Sequence, residues 1–425
     1  MKNKIINTII VLALFASLSI ISSCTKEKIY PPGADEVTEL HNLMNYWYYW
    51  KDSIPDVDPD DYSNPNDLLE AMRYIPRDKW SYITTQAEHS QYYEEGTYIG
   101  YGFGYAPDAD GNVRITFLFD DSDLRDFNIE RGWIIKKING IVIDKNSNLS
   151  GLLGSDEIGV NSLIEFESPT GDIVNENIAK KLITMNTVGE VNVLESGVHK
   201  VGYFVFKSFI GPSIEELTLA FGYFQSEGIT DMVIDLRYNG GGRMDVVDHL
   251  AGLIIPDHVD SKLFLKYEHN ADRSNQNESV YFDQDPNSLR LNKIYFITGK
   301  GSASASEVII NGLNPYLDVY IVGDDTYGKP VGMYSFSSNI SDLVYVPISF
   351  KMVNADDFGG YYEGLKADSY VEDDISKNFG VGEAVLDEVL YHIEHGSFSG
   401  IKSSGVIYRA PLKEIRSIKD ERGTL

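Results

Sequence analysis

Ser304 and Lys329 are the residues of this chain whose types and surroundings best suit covalent chemistry. Ser304 lies in GKGSASASE (299–307), a run of glycines and small hydroxyl residues that follows the apolar, strand-like stretch Ile294–Ile297. A helix-like segment opens at about Ser304, a second apolar run covers Val319–Val322, and Lys329 stands just beyond it. A serine hydroxyl is a poor nucleophile until a neighbour takes its proton. A lysine can take that proton only when its amine is neutral, and burial in a poorly solvated cleft lowers an ammonium pKa by several units. Free N–H groups and the helix dipole at a helix N-terminus favour a developing oxyanion. The glycines of NGGG (239–242) lack side chains, so their backbone can approach a scissile carbonyl. Strand, serine-bearing turn, helix, strand, lysine is the order expected of a serine hydrolase whose general base is an amine.

The elements that must position these residues read as alternating strands and helices from residue 200 onward. Val201–Phe206 and Met232–Leu236 are strand-like. Between them, Ser213 and Glu216 have the spacing of a capping box ahead of a helix with the apolar face Ile214, Leu217, Phe221 and Phe224. Another helix runs through Val246, Val247 and Leu250. The alternation predicts a mainly parallel sheet with crossover helices, an α/β core over 195–397. Ligands of such sheets bind outside the carboxyl ends of the strands. NGGG, Ser304 and Lys329 each follow a strand, which puts all three on one rim. Leu343–Met352 reads as a further strand, Glu383–His395 as a closing helix, and the polar segment 255–292 as an insertion or surface loops.

Upstream of the core the chain reads as two smaller units, making the whole a multidomain α/β protein. A small N-terminal helical segment is expected over 36–90, with Leu40, Leu43, Met44 and Trp47, then Leu68, Leu69, Met72 and Ile75, at helical spacing and the whole of 36–85 helical in character. The acidic PDVDPDD (55–61) lacks the glycine and glutamate of a calcium loop and reads as a solvated turn. Residues 95–188 change to short strands with glycine turns: Tyr98–Tyr105, Val113–Phe119 and Gly132–Ile143, with DADGN (108–112) as a hairpin turn. This stretch resembles a PDZ domain, with Tyr101, Gly102, Phe103 and Gly104 in the place of the carboxylate-binding loop and KKING (136–140) as its later strand and turn. A glycine-spaced loop beside a strand edge can take a peptide C-terminus as an added strand.

At the start of the chain, Lys2 and Lys4 precede the apolar Ile5–Ile21, the pattern of an export signal over 1–23. Cys24 is the single cysteine, so no internal disulfide can form. Its position directly after Ile-Ser-Ser resembles a bacterial lipobox, which implies a lipidated Cys24, a tether over 24–35 and an exported protein held on the periplasmic face or the cell surface by acyl chains. Residues 398–425 read as a polar tail. The formal net charge of −28 in 425 residues disfavours a nucleic-acid partner. No His/Cys/Asp cluster has metal spacing, so neither metal nor other cofactor is expected.

Four ordered motifs, DLRYNGGG (235–242), GSASASE (301–307), TYGK (326–329) and GLKADSYV (364–371), together resemble the C-terminal processing, or tail-specific, peptidases. The resemblance implies a serine endopeptidase with a Ser–Lys dyad that cleaves proteins or peptides recruited through their C-terminal tails. It implies Ser304 as nucleophile and Lys329, twenty-five residues on, as general base. It also implies an oxyanion hole from the N–H of Ala305 and of Gly240 or Gly241. Met333 stands where many members carry a lysine-orienting glutamine, and Pro315 where some carry an acidic residue. A non-catalytic peptide-binding lipoprotein on the same scaffold is the alternative. Ser302 and Ser306 are expected to shape the turn, Glu307 to stabilise the first helical turn, and Asp235 and Arg237 to support the glycine turn. His249 is expected to be a packing or surface residue.

Overall fold

The alternation after residue 200 builds a six-stranded sheet in the computed structural model, which describes residues 30–75 and 77–400. The export segment, Cys24 and residues 401–425 lie outside the described residues. In spatial order the strands are Val188–Ser196, His199–Phe206, Asp231–Asp235, Lys293–Thr298, Asp318–Gly323 and Ser369–Tyr370. The first pair is antiparallel and the others are parallel, as the alternation requires. Successive side chains point to opposite faces of a strand. Phe204, Phe206, Ile234 and Phe296 therefore pack against the helices Ser213–Glu227, Met244–Ile254 and Ala305–Leu313, while Tyr203, Val205, Val233, Tyr295 and Ile297 pack on the helix Ala384–His395. A sheet covered on both faces gives the near-continuous apolar runs seen in the sequence.

Several local expectations are corrected. Ser213 and Glu216 do not cap their helix, whose N-cap is Pro212. Ser213 Oγ instead donates to the Ser208 carbonyl, and Glu216 accepts from Thr187 N, Thr187 Oγ1 and Val188 N, pinning the start of the edge strand. The segment 255–292 is not loop alone. Leu263–Glu268 and Glu278–Tyr281 pair with Ile348–Asn354 and Val331–Met333 in a four-stranded sheet. Phe264, Leu265 and Phe282 are buried there, while the edge strand Glu278–Tyr281 is largely exposed and gives the segment its polar composition. Leu343–Met352 is two strands, broken at Pro347, whose missing N–H cannot serve a ladder. Its first half, Leu343–Val346, pairs with Phe336–Ser337 and with Tyr82–Thr85, so 82–85 is a strand where helix was expected.

The N-terminal helices Glu36–Trp47, Pro65–Met72 and Gln86–Tyr93 dock on this third sheet. Leu40, Leu43, Met44, Trp47, Leu68, Leu69 and Met72 share a core with Phe336, Tyr345 and Ile348, whereas Ile75 is 58% exposed and falls outside it. In the acidic turn, Asp58 accepts from Asp60 N and caps a short 3-10 turn. Residues 97–184 form the β unit. Tyr98–Tyr105 is two strands rather than one: Thr97–Gly100 pairs with Lys181–Thr184, and Phe103–Pro107 forms one edge of a separate six-stranded sheet. Gly102, at φ +80°, makes the break. DADGN is the expected hairpin turn, with Asp108 N donating to Asn112 O at 2.8 Å.

A buried charge cluster joins the β unit to the core. Arg237, 2% exposed, donates to Asp235 (Nη2–Oδ2 2.6 Å), to Asp373 (2.7 Å) and to Glu383 (3.0 Å). Arg131 of the β unit reaches the same Asp373 oxygen at 2.6 Å and also the Thr116 carbonyl, and Tyr238 Oη donates to the other Asp373 oxygen. Removing one member of such a cluster strands the opposite charges in a poorly solvated interior. Arg237→Met is therefore expected to lower the unfolding free energy by about 3–5 kcal/mol in denaturant titration, more than Arg290→Met at the exposed pair with Asp257.

Candidate active site

Ser304 ends the turn that follows Lys293–Thr298 and is the N-cap of the fully buried helix Ala305–Leu313. Its backbone has φ +53° and ψ −114°, a region that non-glycine residues enter only at a cost of about 1–3 kcal/mol. The surroundings enforce it. Ser302 Oγ donates to the Leu236 carbonyl at 2.8 Å, Ser306 Oγ to the Asn239 carbonyl at 2.9 Å, and Ala303 N to Asn239 O at 3.0 Å. The flanking serines thus tie the Ser304 turn to the glycine turn and leave Ser304, half-buried, at its apex.

Gly241, at φ +104°, packs directly beneath that apex. A Cβ there would stand 2.8 Å from Ala303 O and Ala305 N and 2.9 Å from Ser304 Cβ, so the contact requires glycine. The Gly241 N–H is already given to Asn239 Oδ1 at 2.9 Å. Of the two glycines named from the sequence, Gly241 therefore serves as a spacer beneath Ser304, its N–H committed to Asn239.

Glu307, also fully buried, does more than steady the helix. Its Oε2 accepts from Ser304 N at 2.9 Å and Lys329 N at 2.8 Å; its Oε1 accepts from Gly328 N at 2.7 Å and Thr326 Oγ1 at 2.5 Å. One carboxylate holds the backbones of Ser304 and Lys329 in a fixed relation. Burial pushes its pKa above the ordinary value despite those four donors.

Lys329 is 2% exposed, and burial lowers its pKa to about 8, against the pull of Asp78 and Glu307. Asp78 escaped the sequence reading. It is fully buried and accepts from Tyr48 Oη (2.8 Å), Trp80 N (2.9 Å), Ser81 N (2.9 Å) and Ser81 Oγ (2.6 Å). Ser81 Oγ in turn accepts from Ile348 N at 3.0 Å. Set between Arg77 and Lys79, Asp78 gave no sequence signal of burial. Met333, at the position of the family's glutamine, lies in the strand leaving Lys329 and packs into the N-terminal core. Burial alone does not single out Lys329, because Lys207 is also lowered to about 8 by desolvation. Lys207, however, donates to the Leu118 carbonyl and lies over the rings of Phe117 and Phe119.

The remaining named residues sit elsewhere. His249 faces Thr218 Oγ1 at 2.9 Å and Asp285, a packing role. Tyr101 and Phe103 are core residues of the β unit, and Tyr101 Oη donates to Ser162 Oγ at 2.9 Å. Gly102 O accepts from Phe119 N, and a Cβ on Gly104 would meet the Phe117 ring at 2.3 Å. Among the described residues no group of three or more His, Cys, Asp or Glu is disposed to hold a metal ion.

A strained serine on a strand-to-helix turn, with a buried amine beyond the next strand, is an arrangement in which a hydroxyl can act as a nucleophile and a neutral amine can take its proton. Residues 200–368 match peptidase family S41 and residues 40–82 match the peptidase S41 N-terminal domain. The chain is thus similar to peptidase family S41 in two separate stretches, in the order N-terminal domain then peptidase domain. It is 25% identical over 261 residues to a candidate CtpA-like serine protease of Staphylococcus saprophyticus, covering 60% of this chain and 50% of that one. The corresponding protein of Staphylococcus aureus strain N315 is 25% identical over 308 residues, 70% of this chain and 56% of the relative. The chain thus spans about half the length of the curated relatives it matches. A crystal structure of a candidate S41 protease from Bacteroides fragilis shares the fold at TM-score 0.68 and 23% identity, covering 84% of this chain and 97% of that one.

Replacing Glu307 with glutamine puts an amide nitrogen among four donors. The expected result is a loss of at least about 2 kcal/mol in chemical unfolding, with slower labelling of Ser304 by a fluorophosphonate probe.

Proposed function

We propose that this chain is a serine endopeptidase in which Ser304 is the nucleophile and Lys329 the general base. The observation that carries this reading is the single buried carboxylate of Glu307, which binds the backbone amides of both residues while burial holds the Lys329 amine near neutrality. As Ser304 Oγ adds to the scissile carbonyl, its proton passes to Lys329 Nζ. The N–H groups of Ala305 and Gly240 receive the oxyanion. Lys329 then returns the proton to the departing amine, and water repeats the sequence on the acyl-enzyme. Asp78 supplies the negative charge that orients the amine, so Met333 does not leave it unsupported. The β unit reads as the PDZ-like recruiting module: its strand Phe103–Pro107 lies at a sheet edge, where a substrate's C-terminal tail can add. The chain reads as exported and held on the cell envelope by a lipid on Cys24. No described helix is long and apolar enough to cross a membrane.

Ser304→Ala and Lys329→Ala are each expected to abolish peptide cleavage; near-normal rates for the lysine variant would remove the dyad. In the wild type, kcat/KM should rise about tenfold per pH unit and level off above about 8, where the amine is neutral. The Asp78 carboxylate raises the amine's pKa, so Asp78→Asn should move this limb to lower pH; a limb that stays in place or moves upward counts against the assignment. Detergent partitioning tests the anchor: the wild type should enter the detergent phase and Cys24→Ala should remain aqueous.

A further inference from the structure

The motif GLKADSYV (364–371) takes no part in acyl transfer, yet it lies against the loop 326–329 that delivers the Lys329 amine. Gly364, at φ +80°, approaches so closely that a Cβ there would stand 2.2 Å from Thr326 O. Thr326 N donates to Leu365 O at 3.1 Å, and Leu365 N donates to Thr326 Oγ1 at 2.7 Å. Thr326 is fully buried, and its hydroxyl donates in turn to Glu307 Oε1 at 2.5 Å. A second tie runs through Asp325, 2% exposed, which accepts from Ala367 N (3.3 Å), Lys366 Nζ (2.8 Å) and Tyr370 Oη (2.7 Å). From the serine side, Lys300 Nζ donates to Thr326 O at 2.9 Å.

A hydroxyl has one proton to give. Thr326 Oγ1 gives its proton to Glu307 and accepts the Leu365 N–H, so the direction of this line of hydrogen bonds is fixed. Glu307 Oε2 accepts from Ser304 N and Lys329 N, which makes the line continuous from the motif to the backbones of both reacting residues. Bonds aligned in this way strengthen one another in a poorly solvated interior. The motif's other side meets a cavity of about 390 Å³ lined by Ile310, Val319, Tyr361 and Leu365. With open space there, the polar ties set how closely the segment stands against loop 326–329. A displacement of about 1 Å at a reacting group can cost on the order of a hundredfold in rate.

We propose that Thr326 is a positioning residue for the Lys329 amine, and that GLKADSYV is the clamp that sets it, acting through the Thr326 hydroxyl on Glu307. The role rests on the dyad reading, and steady-state kinetics on peptide cleavage separate the two. Thr326→Val should lower kcat about tenfold or more with KM changed less than about twofold, and Thr326→Ser, which keeps the hydroxyl, should restore kcat to within about threefold of the wild type. The loss in Thr326→Val should persist on the plateau above pH 8, where the amine is neutral in any case. A full kcat in Thr326→Val beside an inactive Lys329→Ala overturns the positioning role and leaves the dyad standing. So does a change confined to KM, a loss that vanishes above pH 8, or a Thr326→Ser variant as slow as Thr326→Val. Near-normal cleavage by Lys329→Ala overturns the dyad instead. Should Thr326→Val fail to fold, Lys300→Met removes the donor to Thr326 O from the serine side and decides the matter: kcat should fall about threefold or more at constant KM, and an unchanged kcat overturns the clamp.

Discussion

The site depends on one buried carboxylate. Glu307 accepts from three backbone amides and one hydroxyl drawn from two separate loops. A carboxylate in such a place is costly to bury and is retained only if every lone pair is used. Its position three residues into the helix therefore forces the loop 326–329 to close on the turn at 304. That closure sets the backbone of Lys329 beside the strained turn at Ser304. The backbones of Ser304 and Lys329 are thus both tied to one carboxylate.

The same logic recurs at the other buried charges. Arg237 gathers Asp235, Asp373 and Glu383, and Arg131 brings the β unit to the same aspartate. The two halves of DLRYNGGG thus act separately. Asp235 and Arg237 are consumed by the charge cluster, and the glycines face the serine turn. Tyr238, at φ +66° with its hydroxyl on Asp373, is the hinge between the halves.

Much of this was legible in the sequence because it is carried by short, contiguous patterns. The parallel core could be read from alternating apolar runs and helical faces, and Ser304, Lys329 and the glycine turn from their places after strands. What escaped reading is non-local. Asp78 is 251 positions from Lys329, and no spacing rule links them. The strand at 82–85 was hidden because its partner is Leu343–Val346. The strands in 255–292 were hidden because an exposed edge strand carries polar residues. Ser213 and Glu216 matched a capping pattern but are used by a neighbouring strand, a case of tertiary contacts overriding a local motif. That Asn239 takes the Gly241 N–H was likewise not legible from spacing.

The pairing of Tyr82–Thr85 with Leu343–Val346 has a kinetic meaning. The segment that emerges early in synthesis completes its sheet only when the last fifth of the chain is available, a contact of very high sequence separation. Asp78 and the N-terminal core stand beside that strand, so the wall that dries Lys329 is assembled late. An incomplete chain would carry both Ser304 and Lys329 yet leave the amine hydrated and protonated, because the groups that desolvate it arrive with the closing register. The lowered pKa of the Lys329 amine is thereby tied to the end of folding.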